Sequence, residues 1–218
     1  MSADPTGMHV IVTAGPTREY IDPVRYLSNE SSGRMGFEIA RAAVAAGHRV
    51  TLIAGPVHIE TPDGVTRVDV MSALDMLAAM EEHFPTADAI FMAAAVGDFR
   101  PKTRHEGKWK KKEEGGDAAV LELVENPDLL ATIARDKGQR RVIAFALETA
   151  DGPRRAAAKL VRKNADWIVL NGASALNAAR STVTLLDADG VVWQLEDRPK
   201  AETAEKLVEL LEGAPSAP

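Results

Sequence analysis

The 218-residue chain contains no cysteine. That absence removes disulfides, thiolate nucleophiles and cysteine-ligated metals together, and makes the cytoplasm the expected compartment. Histidine is sparse, with five scattered copies and no spacing that reads as a ligand cluster. Basic charge is also short: the formal net charge is -6 and the pI about 5.4. A phosphate backbone or an anionic membrane surface demands a basic face, so neither nucleic acid nor membrane is an expected partner, and any phosphate contact has to be local. No apolar run approaches the roughly 20 residues of a membrane span. The opening MSADPTGM has neither the basic nor the apolar part of a signal peptide. The G-x-G-x-x-G fingerprint of dinucleotide sites is missing, and TAGPTRE places Pro16 where a Rossmann helix would begin.

What is present is 45% hydrophobic content, enough for a core that folds on its own as one domain spanning 1–218. Five short, nearly continuous apolar runs read as strands buried on both faces: Met8–Gly15, Arg49–Gly55, Ala89–Val96, Arg141–Leu147 and Asp166–Asn171. Segments with helical spacing lie between them. Their starts carry caps at Ser72 with Asp75, at Asn126 before Pro127, and at Asp151 before Pro153. The expectation is an α/β, Rossmann-like, doubly wound fold with a mainly parallel sheet and helices on both faces. TVTLLD and VVWQL flank Ala188, Asp189 and Gly190, which signals a C-terminal β-hairpin, and AETAEKLVELLEG reads as a last helix. Residues 1–7 and 214–218 read as frayed ends, and 102–117, with its charge and glycine, as a mobile flap.

The stretch RYLSNESSGRMG, Arg25 to Gly36, is long and polar ahead of a helix on which Phe37, Ala40 and Val44 share a face. Gly33 and Gly36 let backbone amides approach an anion, and Ser31 and Ser32 add hydroxyls at the helix's positive end, so the stretch reads as a phosphate cradle. Taken singly, Ser32 reads as an N-cap and Gly36 as a packing glycine; the length of irregular chain favours the cradle. After the third apolar run, AAAVGDFRP projects Asp98 and Arg100 from a carboxyl-end loop, where α/β enzymes place chemistry; a solvated turn is the plainer reading. GKWKKKEE ordinarily reads as a solvated charge run, but in a hairpin or flap period two would turn Lys108 and Lys110 one way and Trp109 the other, which weakens that reading. Lys159 and Lys163 in AAAKLVRKNAD lie four apart on one helix face; a solvated pair and a triphosphate-facing pair fit equally well.

AGPTREYIDPVRYLSNESSGRMG, AAAVGDFRP, GKWKKK, ENPDLL, AFALET and KLVRKNAD, in this order and spacing, resemble the phosphopantothenate-cysteine ligase family from Met8 to about Leu195. The resemblance implies a ligase of coenzyme A biosynthesis. Such an enzyme activates the carboxylate of 4'-phosphopantothenate with CTP, accompanied by Mg2+, to an acyl-cytidylate. It then forms the amide with L-cysteine, releasing CMP and pyrophosphate. It implies a catalytic Asn29 at the acyl-phosphate and a catalytic Lys108 that closes over the nucleotide's α-phosphate. Nucleotide binding is implied for Ala93, Ala94 and Asp98, for Asn126, Pro127, Asp128 and Leu129, for Phe145, and for Lys159 and Lys163. Gly15 and Arg25 join Asn29, Ser31, Ser32, Gly33 and Gly36 on the phosphate and substrate side. A homodimer is implied, with Arg25 or Asn29 serving the neighbouring subunit. The family's domain resembles the second half of a bifunctional protein; with a strand in its first ten residues, this chain is expected to leave the flavin-dependent decarboxylase to a separate partner. The family's GFAAET stands here as AFALET, adding bulk at Ala144 and Leu147 beside the implied base site, and N-D-V stands as N-G-A. The paired lysines resemble the CTP-using rather than the ATP-using type. An NAD(P)-linked oxidoreductase or a non-catalytic phosphometabolite-binding protein remain the other readings of the fold.

Overall fold

The runs that read as doubly buried strands form the centre of an eight-stranded sheet. A computed structural model describes residues 7–110, 120–148, 152–172 and 179–212. The strands are β1 (His9–Ala14), β2 (Arg18–Asp22), β3 (Arg25–Ser28), β4 (Arg49–Ala54), β5 (Val65–Asp69), β6 (Ala89–Met92), β7 (Phe99–Pro101), β8 (Leu123–Glu125), β9 (Arg141–Glu148), β10 (Trp167–Gly172), β11 (Arg180–Asp187) and β12 (Gly190–Pro199). The helices are α1 (Arg34–Ala45), α2 (Ala73–His83), α3 (Leu129–Ile133), α4 (Gly152–Arg162) and α5 (Lys200–Val208). The main sheet runs β12-β11-β10-β9-β6-β1-β4-β5. Six neighbouring strands from β10 to β5 are parallel, and β11 and β12 complete the sheet antiparallel.

Every residue of β1 is buried, because the sheet is covered on both sides. Val10, Val12 and Ala14 pack with Phe37, Ile39 and Ala40 of α1 and Leu207 of α5. Ile11 turns the other way, into the layer that holds Met76 and Met80 of α2, Leu130 of α3 and Leu160 of α4. α1 buries Phe37, Ala40 and Ala43 as its pattern demands, while Val44 sits half-buried at the margin. The reciprocal Ser72–Asp75 box caps α2. At the expected hairpin, Asp187 Oδ1 accepts from the amides of Asp189 (2.9 Å) and Gly190 (3.1 Å), and Gly190 takes φ 129°.

Three features depart from the sequence expectations. The polar stretch after β1 is not irregular throughout: β2 and β3 pair antiparallel within it, joined through Pro23 and Val24. A second ribbon, β7 with β8, closes the base of the charged excursion. β5 lengthens the sheet at an edge, and its mixed VTRVD pattern carries too little apolar signal to read as a strand. The cap at Asn126 also moves. Asp128 is the N-cap of α3, its side chain accepting from the Ala131 amide at 3.1 Å. The Asn126 side chain is occupied elsewhere, donating to the Gly97 carbonyl (2.8 Å) and accepting from Arg100 (3.0 Å). The Asp151 cap, Lys111 and Lys112 of the flap, and the frayed ends other than Gly7 lie outside the described residues.

Candidate functional site

The chain leaves β1 toward β4 and β5, then crosses to β6, β9 and β10 on the other side. Connections diverge between β1 and β6, which is where open α/β sheets leave a crevice at their carboxyl ends. A cavity of about 550 Å³ opens there. Asn29 to Met35 line it from the β1–α1 connection, Ala93 to Val96 and Asp98 from the end of β6, Phe145 to Leu147 from β9, Asn171 from β10 and Lys200 from α5.

Gly33, at φ 78°, is the N-cap of α1 and supplies no side-chain cap. Ser32 therefore is not the cap, and it and Ser31 line the cavity instead; the Gly33 amide donates to Ser31 Oγ at 3.3 Å. With Phe37 making the first helical bond to Gly33, the amides of the first turn lack intrahelical acceptors at the positive end of the helix. Such an end suits an anion. Gly36 has a different part. A Cβ there would stand 2.6 Å from Ala14 Cβ and 2.9 Å from the Thr13 carbonyl oxygen, so it is the packing glycine that seats α1 on β1, and it does not line the cavity. Gly15, at φ 78°, turns the chain out of β1, and its carbonyl accepts from the Ala95 amide at 2.9 Å.

The Asn29 side chain donates to the Ala95 carbonyl at 3.0 Å, fixing it against the loop that leaves β6. Ala94, in that loop, donates its amide to the buried Thr13 hydroxyl at 3.1 Å. Asp98 is exposed at the rim. Phe145 is half-buried and faces the cavity with Leu147, which is 45% exposed. Ala144 is 1% exposed and belongs to the core on the opposite side of the sheet, so of the two bulky departures only Leu147 borders the cavity. Strand alternation is the reason.

Sequence reasoning missed Arg34, Asn171 and Lys200 as lining residues. Burial lowers the pKa of Lys200, and the like charge of Arg34 lowers it further, so the two cations stand close enough to interact. Lys200 is the first residue of α5, and no local pattern marks it.

Other expected residues stand apart from this lining. Lys108 and Arg25 are exposed, on the excursion and the β2–β3 ribbon. Asn126 is joined to the cavity's rim through its amide, which donates to the Asp98 carbonyl at 2.8 Å. Pro127 and Asp128 border a second hollow of about 570 Å³, shared with Arg135 and Arg162. Lys163 forms an ion pair with Asp128 at 3.0 Å. Burial pushes the Asp128 carboxyl upward, but the Ala131 amide and Lys163 outweigh it and hold it below the usual range. Leu129 is 3% exposed, leaving only its backbone for a ligand. Lys159 is half-buried on α4, one turn before Lys163, whose amide donates to its carbonyl at 2.9 Å. Among the described residues no group of three or more His, Asp or Glu gathers to hold a metal, and no helix is long and apolar enough to cross a membrane.

The chain is 46% identical over 190 residues to the coenzyme A biosynthesis bifunctional protein CoaBC of Vibrio cholerae, a match covering 84% of this chain and 47% of that protein. It is 39% identical over 213 residues to the CoaBC of Bacillus subtilis, covering 95% and 52%. The chain thus spans about half the length of the curated relatives it matches. The crystal structure of the C-terminal domain of a CoaBC superposes with a TM-score of 0.82 at 38% identity, covering 97% of each chain. With residues 5–214 matched by the family profile and the same fold in a solved relative, the chain belongs to the DNA/pantothenate metabolism flavoprotein C-terminal domain family.

Proposed function

We propose that this chain is a phosphopantothenate-cysteine ligase that uses CTP. The observation that carries the reading is the convergence of Asn29, Ser31, Ser32, Gly33, Ala93, Ala94, Asp98 and Phe145, from two connections and one strand, on one cavity at the switch point. In the first step a carboxylate oxygen of 4'-phosphopantothenate attacks the α-phosphorus of CTP and pyrophosphate leaves. In the second, the amine of L-cysteine attacks the acyl carbon, gives up a proton and expels CMP.

The first-turn amides of α1 with Ser31 and Ser32 hold phosphate oxygens. Phe145 offers a face to the base, and Arg34 and Lys200 set positive charge on the wall where pyrophosphate develops. Lys108 reaches the α-phosphate from the excursion with its exposed side chain, and Lys159 and Lys163 bind nucleotide from beside the neighbouring hollow, where Lys163 pairs with Asp128. Mg2+ usually keeps one or two carboxylates plus substrate phosphates. Glu30 and Asp98, the acidic residues of the lining, suit that arrangement. The ion would offset charge on the triphosphate. A dinucleotide oxidoreductase is disfavoured, because the β1–α1 connection carries a ribbon where the glycine fingerprint would sit.

Incubation with phosphopantothenate, cysteine, Mg2+ and CTP should release pyrophosphate and CMP in equal amounts; nucleotide left intact would refute the reading. Asn29 acts in the second step, its amide holding the acyl-phosphate group while cysteine attacks. Asn29→Asp is therefore expected to release pyrophosphate and accumulate the acyl-cytidylate, with product formation slowed roughly 10²-fold or more. Product at the wild-type rate would remove Asn29 from the catalytic set.

The working form is a homodimer. Val24, Tyr26, Phe99 and Leu123 are exposed apolar residues on the two ribbons, and Arg25 stands among them outside its own chain's cavity lining. A second copy of the same surface would cover these side chains and bring Arg25 to the partner's site. Sedimentation should give twice the 23.4 kDa of one chain, and Tyr26→Asp should shift the population to monomer with loss of activity. A wild-type protein that sediments as a monomer at working concentrations would sink the dimer.

A further inference from the structure

We propose that Asp22 is a positioning residue that holds the backbone next to Lys108 and the Arg25 guanidinium in one fixed relation; this rests on the roles proposed above for Lys108 and Arg25. Asp22 is fully buried at the end of β2. Its Oδ1 accepts from the amides of Val24 and Arg25, both at 2.9 Å, which shapes the tight turn into β3. A hairpin needs no more than that from an Asp. Yet Oδ2 accepts from Arg25 Nε at 2.8 Å and from Arg25 Nη2, and reaches across the chain to the Trp109 amide at 3.0 Å. Arg25 Nη2 also donates to the Trp109 carbonyl.

The main chain of Trp109 is thereby gripped at both its N–H and its C=O, and that N–H belongs to the peptide bond leaving Lys108. Two further ties lie nearby: the His105 amide donates to the Ile21 carbonyl at 2.9 Å, and the His105 and Trp109 rings stack with centroids 5.2 Å apart. The Arg25 guanidinium, more than any other group, holds the Asp22 carboxyl far below the usual carboxylate range, so the anchor stays charged at working pH. Charge-assisted bonds to a buried carboxylate are the strong kind. Lys108 itself stays exposed, so its backbone is fixed while its ammonium is free to reach a phosphate.

Asp22→Asn keeps size and Oδ1 but turns the Oδ2 acceptor into a donor that faces three other donors. It should lower kcat roughly 10- to 100-fold, leave KM for CTP within about threefold, and speed amide exchange at Trp109 by about 10-fold or more. On a Lys108→Gln background the same change should cost less than about threefold, because its effect passes through Lys108. Asp69→Asn, which breaks the ion pair with Arg67 on the edge strand, serves as the control for general loss of stability. Should Asp22→Asn fail to fold, Trp109→Pro removes the donated N–H at the one half-buried residue of the excursion's described part and makes the same comparison. Full multiplicative loss in the double variant, or a wild-type kcat for Asp22→Asn, overturns the inference. If Lys108→Gln alone keeps the wild-type kcat, the role of Lys108 has failed and the inference falls with it. Faster Trp109 exchange with both kcat values intact would identify that case as a failure of the site and not of the tie.

Discussion

Replacing CTP with ATP is expected to cost this protein roughly 10⁴-fold in kcat/KM, about 5 kcal/mol of transition-state binding. A site that pairs polar groups with one base leaves those groups buried and unpaired when the other base enters, and the penalty for unmade hydrogen bonds exceeds the gain from any new contact. Phe145 supplies a face without base preference, so discrimination has to come from polar neighbours such as Asn171 at the end of β10. Steady-state kinetics with each nucleotide at saturating phosphopantothenate and cysteine make the comparison. Equal turnover would sink the CTP assignment. A ratio near 10 would point to Leu147, whose exposed side chain borders Phe145 in the cavity, and Leu147→Ala should then move it; Ala144, buried on the far side of the sheet, should not.

Lys108→Gln is expected to lower kcat by roughly 10² to 10³, the range found when one preorganised donor to developing charge is removed. Nucleotide KM should change far less. An exposed side chain that reaches the α-phosphate only as charge develops there contributes to the transition state and little to the ground state. Lys102 gives the contrast. It lies on the same excursion and forms an exposed ion pair with Glu122 at 3.3 Å, a type of contact worth at most about 1 kcal/mol. Lys102→Gln should be nearly silent, and similar kinetics for the two variants would mean that Lys108 belongs to a solvated charge run.

Much of the scaffold was legible because its signals are local. The doubly buried strands announce themselves as apolar runs, the Ser72–Asp75 box as two residues three apart, and the final hairpin as Asp-Gly between two β-rich segments. The ribbons were not legible. β3 and β8 are three or four residues long and mostly exposed, so neither carries a period, and each is held by a partner strand that the sequence does not place beside it. The Asn126 cap failed for a related reason: the residue has the chemistry of a cap, but Gly97 and Arg100 claimed its side chain.

The sequence by itself determined the α/β class, the parallel centre, the polar stretch before α1 as the place to look for an anion, and, through its resemblance to a ligase family, the residues to test. Those follow from period, composition and motif order, which need no knowledge of what lies across the sheet. Only the tertiary structure decided which of those residues share a cavity. It set Asn29 against Ala95, 66 positions away, gave Gly36 to packing and Gly33 to the helix start, sent Ala144 to the far side of the sheet, and added Arg34, Asn171 and Lys200 to the wall. It also tied Asp22 to Trp109, 87 positions on. Contacts of that span arise from the order in which strands enter the sheet and from hydrogen bonds that buried polar groups must find somewhere, and neither is written in the residues on either side.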